Sequence, residues 1–274
     1  MQNLAIGMFD SGIGGLTVFK EVRDLLPKEN IIYLGDTARV PYGNKSPYTV
    51  TRYALETALF LLAKGIKALV IACNTSSALS LTILKRKLPI PVIGVIDPAA
   101  SAAVRQTRSK KVGVIGTKAT VKSMAYERAV RRIDRHVQVF SQACPLFVPI
   151  VEEGWENSDV AHLVVRQYLT AFHDSGIDVL VMGCTHYPIL QPTIREEIGS
   201  DVFIVNTGRE TAAQVQDLLS ARGLLRESGT GGVSYFVTDS PDTFSEIGSR
   251  FLGETVRGVK LVKNLDLKDF LLST

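Results

Sequence analysis

Val179-Leu180-Val181-Met182-Gly183-Cys184-Thr185-His186-Tyr187-Pro188 is an apolar run that ends on a cysteine and then turns polar, and Leu69-Val70-Ile71-Ala72-Cys73-Asn74-Thr75-Ser76 repeats the pattern. A short apolar run bounded by small and polar residues predicts a buried strand, with the cysteine on the strand-to-helix turn that follows. Helix amino termini offer unpaired N–H groups and the positive end of a dipole, so each turn is expected to lower its thiol's pKa toward neutrality. A free cysteine is also a common small core residue, and either stretch alone fits plain packing. Two in matching positions, each with hydrogen-bonding neighbours, point to chemistry at strand ends.

Outward from these stretches the chain alternates strand and helix. Residues 4–9 predict a first strand, followed by the turn Asp10-Ser11-Gly12-Ile13-Gly14-Gly15 and a helix stopped by Pro27. The turn is not a dinucleotide fingerprint, because Thr17 stands where the third glycine would be required. Residues 30–34 predict a second strand, and the polar stretch 35–44, which contains Pro41-Tyr42-Gly43, a loop at its end. Ser46 as cap with Pro47 at the first position starts a helix whose Val50, Ala54, Ala58, Leu61 and Leu62 form a core-facing stripe. A helix from Thr75 to Lys85-Arg86-Lys87 and a strand over 91–95 follow.

After Asp97-Pro98 the pattern restarts. Strands are expected at 111–115 and 137–141, with a helix between them to about Arg132, before the second thiol stretch. This order predicts an α/β fold with mostly parallel sheets, arranged as two pseudo-symmetric three-layer α/β domains with the active site in the cleft between them. The expected division is residues 1–97 plus 207–274, carrying Cys73, and residues 98–206, carrying Cys184. In such sheets ligands bind outside the carboxyl ends of the strands, where Asp10, Tyr42 and Cys73 would converge.

With 46% hydrophobic and 21% charged residues over 274 positions, the chain has the composition of a globular protein with ample core. No window approaches the ~20 apolar residues of a membrane span, and the start Met1-Gln2-Asn3 lacks signal-peptide character, so the expected location is cytoplasmic, with no membrane association. Three cysteines (Cys73, Cys144, Cys184) without a Cys-x-x-Cys pair give neither a disulfide framework nor a metal-ligand spacing. A net charge of +4 permits anionic partners. Arg128, Arg131, Arg132 and Arg135 are spaced for one helical face, which reads as a solvated surface, and nucleic acid is not an expected partner.

If both cysteines face one crevice, one thiolate can remove a proton from a ligand held between them while the opposite thiol delivers one, which inverts an α-carbon. The sequence supplies no pyridoxal or flavin signature, so the carbanion would rely on positioned hydrogen bonds and excluded water. Ser11, Asn74, Thr75 and Thr185 offer donors for carboxylates, and Asp10, Glu152 and His186 are placed to tune thiols or hold an ammonium group. Each also has a simpler role open to it: turn residues for Asp10 and Ser11, helix caps for Asn74 and Thr75, a buried imidazole for His186, a surface charge for Glu152. Cys144 reads as packed. The residues alone also leave open a dicarboxylate-binding module and a Cys73–Cys184 redox pair.

Taken together, Phe9-Asp10-Ser11-Gly12-Ile13-Gly14-Gly15-Leu16, Pro41-Tyr42-Gly43, Ala72-Cys73-Asn74-Thr75, Cys144-Pro145-Leu146-Phe147-Val148-Pro149 with Glu152, and Gly183-Cys184-Thr185-His186-Tyr187-Pro188 resemble the successive motifs of the cofactor-independent glutamate racemases, in order and over nearly the whole chain. The resemblance implies interconversion of L- and D-glutamate for bacterial peptidoglycan, without cofactor or metal. It implies that Cys73 deprotonates D-glutamate with help from Asp10, and that Cys184 deprotonates L-glutamate with help from His186, Glu152 being a further acidic residue of the site. Asp10, Ser11, Pro41, Tyr42, Gly43, Asn74, Thr75, Thr185 and His186 match substrate-binding positions, and Thr117 and Thr120 secondary ones. Aspartate racemases, which resemble the same pattern, carry glutamate where this chain has His186, so glutamate is the expected substrate and aspartate the alternative. A homodimer is expected for an enzyme of this size.

Overall fold

The computed structural model describes residues 1–263 and residue 265. Among the described residues ten strands form two sheets. In chain order they are β1 Ala5–Asp10, β2 Ile31–Gly35, β3 Ile66–Ile71, β4 Val92–Gly94, β5 Lys111–Gly116, β6 Gln138–Ala143, β7 Val179–Gly183, β8 Phe203–Val205, β9 Val233–Val237 and β10 Lys260–Leu261. The first sheet has the order β10-β9-β2-β1-β3-β4 and the second β6-β5-β7-β8. Every pairing is parallel. Parallel neighbours need crossover connections, and most here contain a helix, which leaves strands such as β1, β3 and β7 buried along their whole length.

This burial explains why the central strands read as unbroken apolar runs rather than alternating ones. The strand order puts β1, β3 and β7 inside their sheets, so Asp10 closes a central strand and Cys73 and Cys184 follow central strands. The helix Pro47–Ala63 begins as expected, with Ser46 Oγ accepting from the Thr49 N–H at 3.2 Å and Pro47 in the first turn. The helix Asn74–Lys87 is capped by Cys73 itself, whose sulfur accepts from the Ser76 N–H at 3.4 Å.

The chain after residue 206 returns to the first sheet. The helix Thr207–Ala221 packs on the helix Leu16–Leu25, and β9 pairs with β2 in register Tyr33 to Tyr235. Residues 264 and 266–274, which the expected division assigns to the first domain, lie outside the described residues.

The structure differs from the sequence reading in three places. A helix spans Ile96–Gln106 and runs through the point where the pattern was expected to restart; Pro98 sits in its first turn, where proline's missing N–H is harmless. The single helix expected up to Arg132 is two, Lys118–Lys122 and Ala125–Ile133, broken at Met124 with φ +52°. Arg135 lies beyond the second of these, so the arginines do not share one helical face. Arg132 pairs with Asp97 at 2.7 Å, and all four are exposed.

Candidate active site

A cavity of about 340 Å³ opens between the carboxyl ends of the two sheets. Cys73 and Cys184 both line it, together with Ser11, Pro41, Tyr42, Gly43, Asn74, Thr75, Thr117, Glu152, Thr185 and His186. Asp10 and Thr120, at 0% and 1% exposure, lie one layer behind the wall. The structure therefore gathers all the residues singled out from the sequence into one place, two of them in its supporting layer. Cys144 is buried away from the cavity, its backbone carbonyl accepting from the Tyr187 hydroxyl at 2.9 Å.

Cys73 stands at the end of β3, 3.6 Å from the Ser11 hydroxyl. The expectation that its turn lowers its pKa is not met. Burial first, and then the nearby Asp10 carboxylate, push the thiol up to about 11, against the opposing pull of the Ser76 N–H and the Ser11 hydroxyl. The N–H groups of the turn do not offset the removal of water from a group that is 5% exposed. Asp10 is itself raised by burial, though His186 and the Gly12 and Gly15 N–H groups pull it back, the Gly12 bond being 2.9 Å.

On the facing side, Cys184 Sγ lies 3.9 Å from His186 Nδ1, and His186 Nε2 lies 2.9 Å from Glu152 Oε1. Burial alone would lower the imidazole's pKa. Its bonds to Cys184 and Glu152 win and carry it up to about 10, so the ring is an imidazolium at neutral pH. Sulfur, imidazolium and carboxylate thus form a relay from the cavity to its rim, where Glu152 is partly exposed.

The glycine-rich turn after β1 serves this relay rather than a phosphate. A Cβ on Gly14 would stand 2.4 Å from His186 Nδ1 and 2.4 Å from Thr185 Oγ1, so only glycine lets the two halves meet here. Thr185 bridges back to the first half: its hydroxyl donates to Asp10 at 3.4 Å, and its carbonyl accepts from Thr17 at 2.8 Å. The hydroxyls of Thr75, Thr117 and Thr120 form a second bridge, with separations of 2.9, 3.0 and 3.3 Å. Tyr42 faces the other way: its hydroxyl donates to the buried Asp36 carboxylate, which also holds Arg39 at 2.7 Å.

Sequence reasoning missed part of the lining. Val40, Val148 and Pro149 add apolar surface to the lining, and Lys118 also borders the cavity. The motif containing Val148 and Pro149 was visible, but nothing in its composition marks these residues as facing a ligand. Among the described residues no group of three or more His, Cys, Asp or Glu side chains is placed to hold a metal ion.

Comparison with known proteins agrees with this geometry. Residues 15–215 match the family described as Asp/Glu/Hydantoin racemase. The chain is 55% identical to the glutamate racemase of Geobacter metallireducens over 91% of this chain and 93% of that one. It superposes on a glutamate racemase isoform of Bacillus anthracis with TM-score 0.94, at 41% identity over 97% of this chain and 99% of that one. It also superposes on the Francisella tularensis glutamate racemase, solved in complex with D-glutamate, with TM-score 0.91, at 39% identity over 97% and 99% of the two chains.

Proposed function

The chain belongs to the Asp/Glu/Hydantoin racemase family, and from that premise we propose that it interconverts L- and D-glutamate by proton transfer between the α-carbon and two thiols, Cys73 and Cys184. The observation that carries the reading is that two cysteines, from the ends of central strands in different sheets, line one cavity of a size for a small amino acid. The Francisella relative bound to D-glutamate supports the choice of substrate.

In the L to D direction the Cys184 thiolate takes the α-proton, leaving a carbanion and a Cys184 thiol. The Cys73 thiol then gives its proton to the opposite face, leaving a thiolate. Loss of a proton from Cys184 to solvent and uptake of one by Cys73 restore the starting state, and the D to L direction runs the same steps backwards. His186, held by Glu152, steadies negative charge on Cys184, and Asp10 works beside Cys73. Ser11, Asn74, Thr75 and Thr185 donate to the carboxylates, with Pro41, Tyr42 and Gly43 shaping the wall and Thr117 and Thr120 supporting Thr75. The apolar lining from Val40, Val148 and Pro149 limits water, which strengthens every one of these interactions.

The product suits a cell that builds D-glutamate into peptidoglycan, the role typical of this family. No helix among the described residues is long and apolar enough to cross a membrane. A cytoplasmic homodimer, with the domains divided as 1–97 plus 207–274 and 98–206, completes the proposal. Polarimetry tests it: L-glutamate should lose its rotation completely and L-aspartate should not. Retained rotation with L-glutamate would reject the reading.

A further inference from the structure

The buried phenol of Tyr126 connects the two thiol-bearing turns. Tyr126 stands near the start of the helix Ala125–Ile133 and is 1% exposed. Its hydroxyl donates to Asn74 Oδ1 at 2.6 Å. Its ring packs on Gly183, where an added Cβ would stand 3.0 Å from Cε2. One side chain therefore touches the residue after Cys73 and the residue before Cys184.

The consequence for Asn74 is chemical. Its amide has one acceptor and one two-proton donor. Tyr126 occupies the acceptor, while Nδ2 is buried without a partner in a residue that lines the cavity. An unpaired buried donor is costly, and a carboxylate in the cavity would satisfy it. Burial raises the Tyr126 pKa well beyond the usual phenol range, so the hydroxyl keeps the proton that this arrangement needs.

We propose that Tyr126 is a positioning residue: by holding the Asn74 amide oxygen away from the cavity it presents Nδ2 to a carboxylate of the substrate, and by bridging two sheets it fixes this donor relative to both thiols. The inference rests on glutamate as the ligand of this cavity. Without the phenol hydroxyl the amide is free to turn, and its oxygen would then repel the same carboxylate.

The test is a double-substitution cycle on the full chain, with glutamate affinity read by calorimetry and KM and kcat by polarimetry. Tyr126→Phe keeps the ring on Gly183 and should weaken glutamate binding and raise KM about three- to tenfold in both directions, the range expected for one hydrogen bond. In an Asn74→Ala background Tyr126→Phe should change neither. Equal effects in both backgrounds, or unchanged affinity in the single variant, would overturn the inference even where racemisation is normal. If the protein binds glutamate without racemising it, the calorimetric cycle still decides the matter. Should Tyr126→Phe not fold, a crystal structure of the unsubstituted protein with glutamate decides it. Nδ2 within hydrogen-bond distance of a substrate carboxylate supports the proposal, and an Asn74 amide turned the other way overturns it.

Discussion

Replacing Glu152 by glutamine preserves the shape of the relay and removes its outer charge. The carboxylate meets His186 at 2.9 Å, and its side chain is 39% exposed. A charge-assisted hydrogen bond is worth roughly 1.5–3 kcal/mol, and solvent at the rim brings this one just below that range, to about 1.4 kcal/mol. That amount, lost from the support the imidazolium gives to negative charge on the Cys184 side during the transfer, is about a tenfold slower step. Because enantiomers have equal free energies, kcat/KM must fall by the same factor, about tenfold, from either side. The asymmetry appears elsewhere. Raising only the Cys184 barrier makes that transfer rate-limiting, so the α-deuterium isotope effect on kcat/KM should grow with labelled L-glutamate and shrink with labelled D-glutamate. Polarimetry on the two deuterated substrates measures both. An unchanged rate, or isotope effects shifting in the opposite sense, would refute the assignment of Glu152 and His186 to the Cys184 side.

Gly14→Ala should lower activity at least tenfold and stability by about 1–3 kcal/mol, since its Cβ would overlap His186 and Thr185; assay and urea titration check this. Lys67 and Glu29 form an ion pair at 1% and 2% side-chain exposure, with Lys67 also donating to the Gln2 and Leu224 carbonyls at 2.8 Å each. Lys67→Ala should therefore cost about 3–5 kcal/mol in urea while leaving KM of the folded fraction unchanged. Cys73, raised from 9.0 to about 11, favours the neutral thiol in the folded state, so its contribution is full below pH 9 and lost as pH rises through about 11. Melting temperatures between pH 8 and 11 should fall further for the unsubstituted protein than for Cys73→Ala, and parallel curves would contradict that sign.

The strands were legible because β1, β3 and β7 are covered on both faces, which forces apolar runs that need no tertiary knowledge to read. The candidate site was legible for a related reason: parallel strands deliver whatever follows them to one edge, so Asp10, Cys73 and Cys184 had to lie at sheet ends. The helix Ile96–Gln106 was not legible, because its small residues Ala99, Ala100, Ala102 and Ala103 are buried by packing between elements distant in sequence. The break at Met124 carries no glycine or proline to announce it. The direction of the Cys73 pKa was misread because the turn chemistry is local and visible, whereas burial and the approach of Asp10 depend on the assembled cleft. The role of Gly14 was hidden too, since what it makes room for comes from residues 185 and 186.

Isotope incorporation during the first turnovers in deuterated water bears most directly on a pair of sulfurs working from opposite sides of the α-carbon. Starting from L-glutamate, newly formed D-glutamate should carry one α-deuteron while the remaining L-glutamate stays protiated. Product that keeps the substrate's own proton, or label entering both pools at equal rates from the outset, would contradict the two-thiol account.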